Sequence, residues 1–262
     1  MIFKQVTRLL IICFHVVFAI FLPSSAWADE NVKEREIGRE VIALYLDAAP
    51  LIDDTETLKY VNTLGKHIAK FASEKGPIRN WTFGVINTAS INAFAAPGGY
   101  VLITQGLLDL IETEDQLAFV LAHEISHIVE EHHLTVIRKQ SKMLELIAKM
   151  QNNVSSANRI FTEMSGVYRD FAAKGLDKRA EHEADLDGTI LAARAGFNTY
   201  AGHELLFILS DFHASGNQAE LFFKTHPHPL SRIDELAGQI TDELDNFAIN
   251  SNPSSAFRRL KR

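Results

Sequence analysis

Residues 119–133 read FVLAHEISHIVEEHH, a stretch with four histidines and three glutamates whose first half is otherwise apolar. An apolar run of this kind is typical of a helix packed in a protein core. The stretch is therefore either a metal site or a buried helix whose polar end happens to be rich in histidine and glutamate. The sequence around it has to discriminate between the two.

The spacing within HExxH favours the metal site. His123 and His127 are four residues apart, so on a helix they share one face. Two imidazoles at this spacing can bind one Zn²⁺. Glu124 would lie beside the metal without pointing at it, where it can take a proton from a water molecule and pass it to a leaving amine. Burying imidazoles without such a role among apolar residues would cost free energy.

A candidate third ligand lies downstream, in RAEHEADLDG (179–188). The pattern is helical, so Glu181 and Asp185 share a face. Glu181 could complete a His₂Glu set with one coordination position open, and Asp185 could accept a hydrogen bond from the free ring nitrogen of a ligating histidine. Alone, this segment is more typical of a charged helix face. With HExxH upstream we interpret it as a ligand segment, and Glu183 as a solvated surface acid.

A third segment, KTHPHPLSR (224–232), has prolines that prevent a regular helix, so it predicts a loop before a helix starting near Leu230 or Ser231. Either His226 or His228 could approach the metal. Arg232 could stabilise a developing oxyanion.

The remaining histidines are predicted to be surface or packing residues. On a continuous helix His132 lies nine residues from His123, about half a turn around, and should not reach the same metal. His133, its neighbour, is given the same interpretation.

The fold class predicted around these segments is α+β and mainly helical. WTFGVIN (81–87) and INAFAAPGGYVLIT (91–104) are expected to be strands, with a hairpin turn at Pro97-Gly98-Gly99. Thr104 and Thr113 are predicted helix N-caps, the second with Gln116 in a capping box. Helices are also expected over 31–48, 55–74, 134–150, 156–174, 176–195, 199–213 and 229–247.

The N-terminus has the features of a secretory signal. Lys4 and Arg8 precede an apolar run, Pro23 follows it, and we expect cleavage after Ala28. The alternative is an uncleaved anchor, but the run is short for a spanning helix. Residues 29–248 are then one domain, and the polar, basic tail at 249–262 is predicted to be disordered.

The expected mature chain has neither cysteine nor an excess of positive charge. Cys13 is the only cysteine, so the metal must be held by histidine, aspartate or glutamate. Losing the two leader cations leaves 24 Lys and Arg against 33 Asp and Glu, a formal charge of −9. Such an acidic exported chain is not expected to bind nucleic acid, and the compartment we expect is periplasmic.

Together the segments resemble a known family. IGREV, INAFAAPGGYVLITQGLL, LAHEISHIVEEH, EHEADLDG and THPHPLSRI occur in the order seen in gluzincin zinc metalloproteases of metallopeptidase family forty-eight, the group of the BepA, HtpX and CAAX prenyl proteases. The resemblance implies a zincin-like domain with a small sheet beside the HExxH helix. It implies one zinc ion held by His123, His127 and Glu181, with Glu124 as the catalytic base and Asp185 matching the acid that follows the third ligand.

The resemblance also bears on regulation and on substrate. His226, rather than His228, matches a histidine that can approach the zinc and restrain activity. An exposed strand edge formed by Asn92, Ala93, Phe94 and Ala95 would pair with an extended substrate backbone.

Two functions follow from these expectations. The first is a zinc endopeptidase acting on unfolded or misassembled periplasmic and outer-membrane proteins, with no integral membrane span in the mature chain. The second is a chaperone-like binding module whose metal site is structural or closed by His226.

Overall fold

The computed structural model describes residues 24–75, 80–150, 175–215, 220–226, 229–239, 244 and 254–260. Within them the protein is mostly helical with one small sheet, which confirms the predicted α+β class. The helices are α1 (Ser24–Ala48), α2 (Thr55–Ala69) with a 3₁₀ turn at Lys70–Lys75, α3 (Gln105–Leu110), α4 (Glu114–Val129), α5 (His132–Met150), α6 (Lys178–Arg194), α7 (Ala201–Ser215), α8 (Glu220–Thr225), α9 (Pro229–Gln239) and α10 (Ser255–Leu260).

The sheet has three strands in the order β1-β3-β2, formed by Thr82–Ile86 (β1), Ala93–Ala96 (β2) and Tyr100–Thr104 (β3). The hairpin of β2 and β3 is antiparallel as predicted, whereas β1 pairs with β3 in parallel. The turn between β2 and β3 requires glycine, because Gly98 and Gly99 have φ of 80° and 92°. Alternate strand residues face two cores, one shared with α2 and α4 and the other with α1 and α5.

Helix α4 runs through the larger core, and its side chains are buried from Asp115 to Ile128. Its start is fixed by the predicted capping box, in which the Thr113 side chain accepts from the Gln116 N–H and the Gln116 side chain accepts from the Thr113 N–H. Thr104 likewise caps α3. These caps set where α4 begins and therefore which of its residues face the site.

Helix α6 crosses α4 at very short range, at Gly188. A Cβ atom placed on Gly188 would lie 2.9 Å from the Cα and from the backbone nitrogen of His123. Only a hydrogen side chain allows this approach, which carries α6 acids to the α4 histidines.

Gly188→Ala is therefore expected to lower the free energy of unfolding by about 1–3 kcal/mol, because backbone rather than a flexible side chain must move. Chemical denaturation measures it. Gly238→Ala in α9 is the matched control, since a Cβ there meets nothing within 4 Å, and it should be neutral or slightly stabilising. Equal stability of the two variants would contradict the close approach.

The predicted disorder of the tail, residues 249–262, is wrong for residues 254–260. Helix α10 packs Phe257 into the larger core, where it is buried. The Glu114 carboxylate accepts hydrogen bonds from the Ser254 N–H and hydroxyl, at 2.6 and 2.7 Å, and from the Tyr60 hydroxyl at 2.5 Å. An apolar anchor and a shared carboxylate order this segment.

Other predicted elements differ at their ends or cannot be compared. Helix α9 begins at Pro229, the first residue of the helix predicted over 229–247 and one residue before Leu230, because proline is well suited to the first helical position. The short helix α8 was not predicted. The predicted helix at 156–174, the signal up to residue 23 and the end of the 229–247 helix lie outside the described residues. Among the residues that are described, no helix is both long and apolar enough to cross a membrane.

Candidate metal centre and active site

Four buried side chains from three parts of the chain meet at one point. His123 and His127 come from α4, Glu181 from the first turn of α6, and His226 from the residue after α8. One ligand atom from each lies within 4.8 Å of all the others. The sequence predicted each of these residues, and the structure brings all four together.

The geometry of the cluster suits a metal ion. The Nε2 atoms of His123 and His127 are 3.0 Å apart, and Glu181 Oε1 is 3.5 Å from His127 Nε2. Oε1 is buried and has no hydrogen-bond partner in the described part of the chain. Buried lone pairs directed at one point without protons between them are costly unless a cation is shared.

The protonation state of His127 also suits metal binding. Burial, followed by the neighbouring His123, lowers the pKa of His127 well below its usual range. The ring is therefore neutral at ordinary pH, and a neutral imidazole is the form that binds metals. The donor set is one that Zn²⁺ accepts.

Behind the cluster, Asp185 connects His123 to Arg232. Oδ1 of Asp185 is 3.0 Å from His123 Nδ1, an ion-pair distance, although the geometry is not that of a hydrogen bond. The orienting role expected of this acid stays a prediction. Arg232 donates to both Asp185 oxygens, from Nε at 2.7 Å and Nη2 at 2.5 Å. Although burial opposes ionisation, this pairing keeps the pKa of Asp185 well below its usual range.

Arg232 is thus engaged mainly with Asp185. Its remaining guanidinium nitrogen, Nη1, lies 3.5 Å from Glu181 Oε2 and makes no hydrogen bond to the described residues. Nη1 is available for the predicted oxyanion role, which stays a prediction.

Glu124 lies beside the donor cluster and is not part of it. It is buried, and desolvation raises the pKa of its carboxyl group. Its Oε1 is 3.9 Å from His226 Nε2, and its Oε2 has no hydrogen-bond partner among the described residues. A buried carboxylate with an uncommitted oxygen and a raised pKa has the properties of a general base.

His226 is the fourth donor of the cluster. Its Nδ1 is 2.8 Å from Glu181 Oε2, close enough for a charge-assisted hydrogen bond. Burial alone lowers the pKa of His226, but the Glu181 carboxylate reverses this and raises it. His228, the other candidate, lies outside the described residues.

The predicted substrate strand is at the edge of the sheet but is not exposed, which corrects that expectation. Ala93, Phe94 and Ala95 are buried, and the ring centroids of Phe94 and Tyr45 of α1 are 4.1 Å apart. A cavity between β2 and the donor cluster is lined by Phe94, Tyr45, Leu176 and Glu124. Tyr45 and Leu176, from two distant segments, both pack against the hydrophobic cluster that contains Phe94.

Asn92 is likewise not exposed. Its side chain is fully buried, and its Oδ1 accepts from the Ala93 N–H at 2.9 Å and from the Thr225 hydroxyl at 3.3 Å. It therefore links the hairpin to the residue that precedes His226.

Three residues near the site were missed by sequence reasoning. His133 is buried and lines the cavity with Glu124, and desolvation lowers its pKa to about 3. Tyr45 lines the same cavity. The Nδ1 atom of His132 lies 3.0 Å from the Nδ1 atom of His127. A break in the helix after Val129 would have indicated both histidines, but Glu130-Glu131 carries no glycine, asparagine or proline to signal one.

Comparison with known proteins agrees with this geometry. The model of peptidase family M48 matches residues 56–240, which is more than half of the chain. The chain belongs to peptidase family M48. The resemblance noted from the sequence is thereby confirmed, and the family is one of hydrolases that act on peptide bonds.

Relatives within peptidase family M48 cover most of this chain. It is 31% identical over 197 residues to a beta-barrel assembly-enhancing protease of Yersinia pestis, covering 72% of this chain and 40% of the relative. The protein of the same name from Escherichia coli (strain K12) is 30% identical, with 77% and 42% covered. The mitochondrial metalloendopeptidase OMA1 of Saccharomyces cerevisiae is 29% identical, with 68% and 54% covered. The chain thus spans about two fifths of the length of the first two relatives.

Proposed function

We propose that this member of peptidase family M48 is a zinc-dependent endopeptidase. The observation that carries the proposal is the buried cluster of His123, His127 and Glu181 with Glu124 beside it. Three protein ligands leave a position open in a catalytic zinc site, whereas a structural site is closed. A purely structural site would also have no use for a carboxylate with a raised pKa next to it.

The roles of the chain's own residues follow from their positions. When bound, Zn²⁺ would supply Lewis acidity at the scissile carbonyl. Glu124 accepts the proton of the attacking water and returns it to the amine as the peptide bond breaks. Asp185, held by Arg232, lies 3.0 Å from His123 Nδ1, where a small rotation of the ring would let it accept a hydrogen bond and orient that ligand. The apolar wall of β2 and Tyr45 limits competing water around the reacting atoms.

The proposed substrates are unfolded or misassembled envelope proteins. Support comes from the N-terminal leader pattern, which predicts periplasmic export, and from relatives named for beta-barrel assembly. An unfolded segment can also present an extended backbone to the edge of β2, where main-chain pairing requires no particular side chains. The side chains of Leu176 and Tyr45 must move aside before a substrate can pair with that strand.

The direct test compares cleavage of a reduced, unfolded protein with cleavage of the same protein folded. The metal-depleted chain is expected to be inactive, and one equivalent of Zn²⁺ is expected to restore cleavage of the unfolded form only. Metal analysis of the purified chain should give one zinc per chain. Cleavage that persists in excess chelator would refute the proposal.

His226→Ala is expected to increase the cleavage rate several-fold. The native imidazole is bonded to Glu181 and sits over the donor cluster, so it competes with substrate for the open position. Initial rates on an unfolded substrate measure the effect. Lys224→Ala, an exposed neighbour, is the control. A slower His226→Ala enzyme would show that this histidine assists the reaction.

A second candidate function rests on the same contact. If His226 is a permanent fourth ligand, the site is closed, and the chain would act as a chaperone-like module that binds unfolded proteins. A zinc-loaded His226→Ala variant that binds unfolded protein without cleaving it would favour this alternative.

A further inference from the structure

The connection between α4 and α5 is very short. Helix α4 ends at Val129, α5 begins at His132, and Glu131 between them has φ of 54°. It is the one residue other than glycine with positive φ in the described part of the chain. A left-handed residue stops a helix and redirects the chain. A continuous helix would instead place His132 five residues, or 140°, around from His127.

The redirected chain carries His132 back onto His127. Nδ1 of His132 is 3.0 Å from Nδ1 of His127, and the ring centroids are 5.2 Å apart in a nearly perpendicular arrangement. On the other side of the His132 ring, Nε2 is 3.4 Å from Glu183 Oε2 on α6. His132 therefore bridges α4 and α6 directly behind the metal cluster, without belonging to it.

Hydrogen-bond chemistry gives this chain of three residues one direction. The Nε2 atom of His127 faces the donor cluster, so as a metal ligand it carries no proton. The proton of the neutral ring is then on Nδ1, which donates to His132. His132 accepts through its own Nδ1, so its proton is on Nε2, where the Glu183 carboxylate accepts.

We propose that His132 and Glu183 form a positioning pair that orients His127 for metal binding. The inference rests on the proposed metal site. It gives each ligating imidazole an acid on α6, since Asp185 faces His123 directly and Glu183 reaches His127 through His132. Glu183 is therefore more than the solvated surface acid predicted from the sequence, although its side chain is 44% exposed.

Zinc affinity of the full chain, measured by competition with a chromophoric chelator, tests the pair without any activity assay. His132→Leu is expected to bind Zn²⁺ about 10–100-fold more weakly, because His127 loses its acceptor. His132→Asn places an amide oxygen near the position of Nδ1, so it is expected to stay within about tenfold of the native chain. Glu131→Gln, which alters an exposed carboxylate bonded to Arg138, is the matched control.

Glu183 is tested through a double-mutant cycle. If it acts through His132, Glu183→Ala weakens zinc binding in the native background and adds nothing to His132→Leu. Equal effects in both backgrounds would separate Glu183 from the pair.

The possible results separate the positioning pair from simple packing and from the metal site on which the pair depends. Zinc binding by His132→Leu as tight as that of Glu131→Gln would overturn the proposal. Equal losses in the Leu and Asn variants would also overturn it, because packing rather than the hydrogen bond would then be responsible. A native chain that binds no zinc would reject the metal site itself.

Discussion

Replacing Glu124 with glutamine is expected to reduce peptide cleavage by about 100- to 10,000-fold, the contribution typical of a general base. Glutamine has the same shape but cannot accept a proton from water. The native carboxylate has a buried oxygen without a hydrogen-bond partner among the described residues, so that oxygen is available to accept the proton. The loss should appear in kcat, with little change in KM.

Two measurements separate this effect from a loss of structure. Zinc content and the thermal unfolding midpoint of Glu124→Gln should match those of the native chain, because Glu124 is outside the donor cluster and the neutral amide avoids burial of a charge. Glu204→Gln, an exposed acid on α7, should retain full activity. A Glu124→Gln variant as active as the native chain would rule out Glu124 as the base.

Glu181→Gln is expected to have the largest effect on metal binding. An amide oxygen is a far weaker zinc ligand than a carboxylate, so affinity should fall by more than the roughly 10–100-fold seen when a partner behind a ligand is lost. The cleavage rate should fall together with the zinc affinity, to the rate of the metal-depleted chain. Competition with a chelator measures affinity, and metal analysis after gel filtration measures retention.

Asp187→Asn, on the same helix but outside the donor cluster, is the matched control for Glu181→Gln. It should retain both zinc and activity. Undiminished zinc binding by Glu181→Gln would show that the histidines alone hold the ion and that the carboxylate has another role. That result would leave the role assigned to Glu124 intact.

The parts of the site that depend on one helix were predictable from the sequence. His123 and His127 are one turn apart on α4, and so are Glu181 and Asp185 on α6, and helical geometry alone fixes each pair. That α6 meets α4 depends on Gly188, which the sequence does not single out among its 14 glycines.

Features that depend on distant contacts or unusual backbone were not predictable. The left-handed residue that returns His132 to His127 is a glutamate, which local propensity assigns to a continuing helix. The order of the tail depends on Glu114, 140 residues before Ser254. The strand edge looks free in sequence, and its cover comes from Tyr45 and Leu176, which lie far from it along the chain.

The direction in which each helix reaches the site has an electrostatic consequence. His127 is in the last turn of α4, where peptide dipoles concentrate partial negative charge, which favours a cation held there. Glu181 is in the first turn of α6, where partial positive charge stabilises an ionised carboxylate. Each effect is worth about 0.3–1 kcal/mol at an exposed helix end and more when partly buried. The polarity of each helix therefore suits what lies at its end, a cation beside the last turn of α4 and a carboxylate in the first turn of α6.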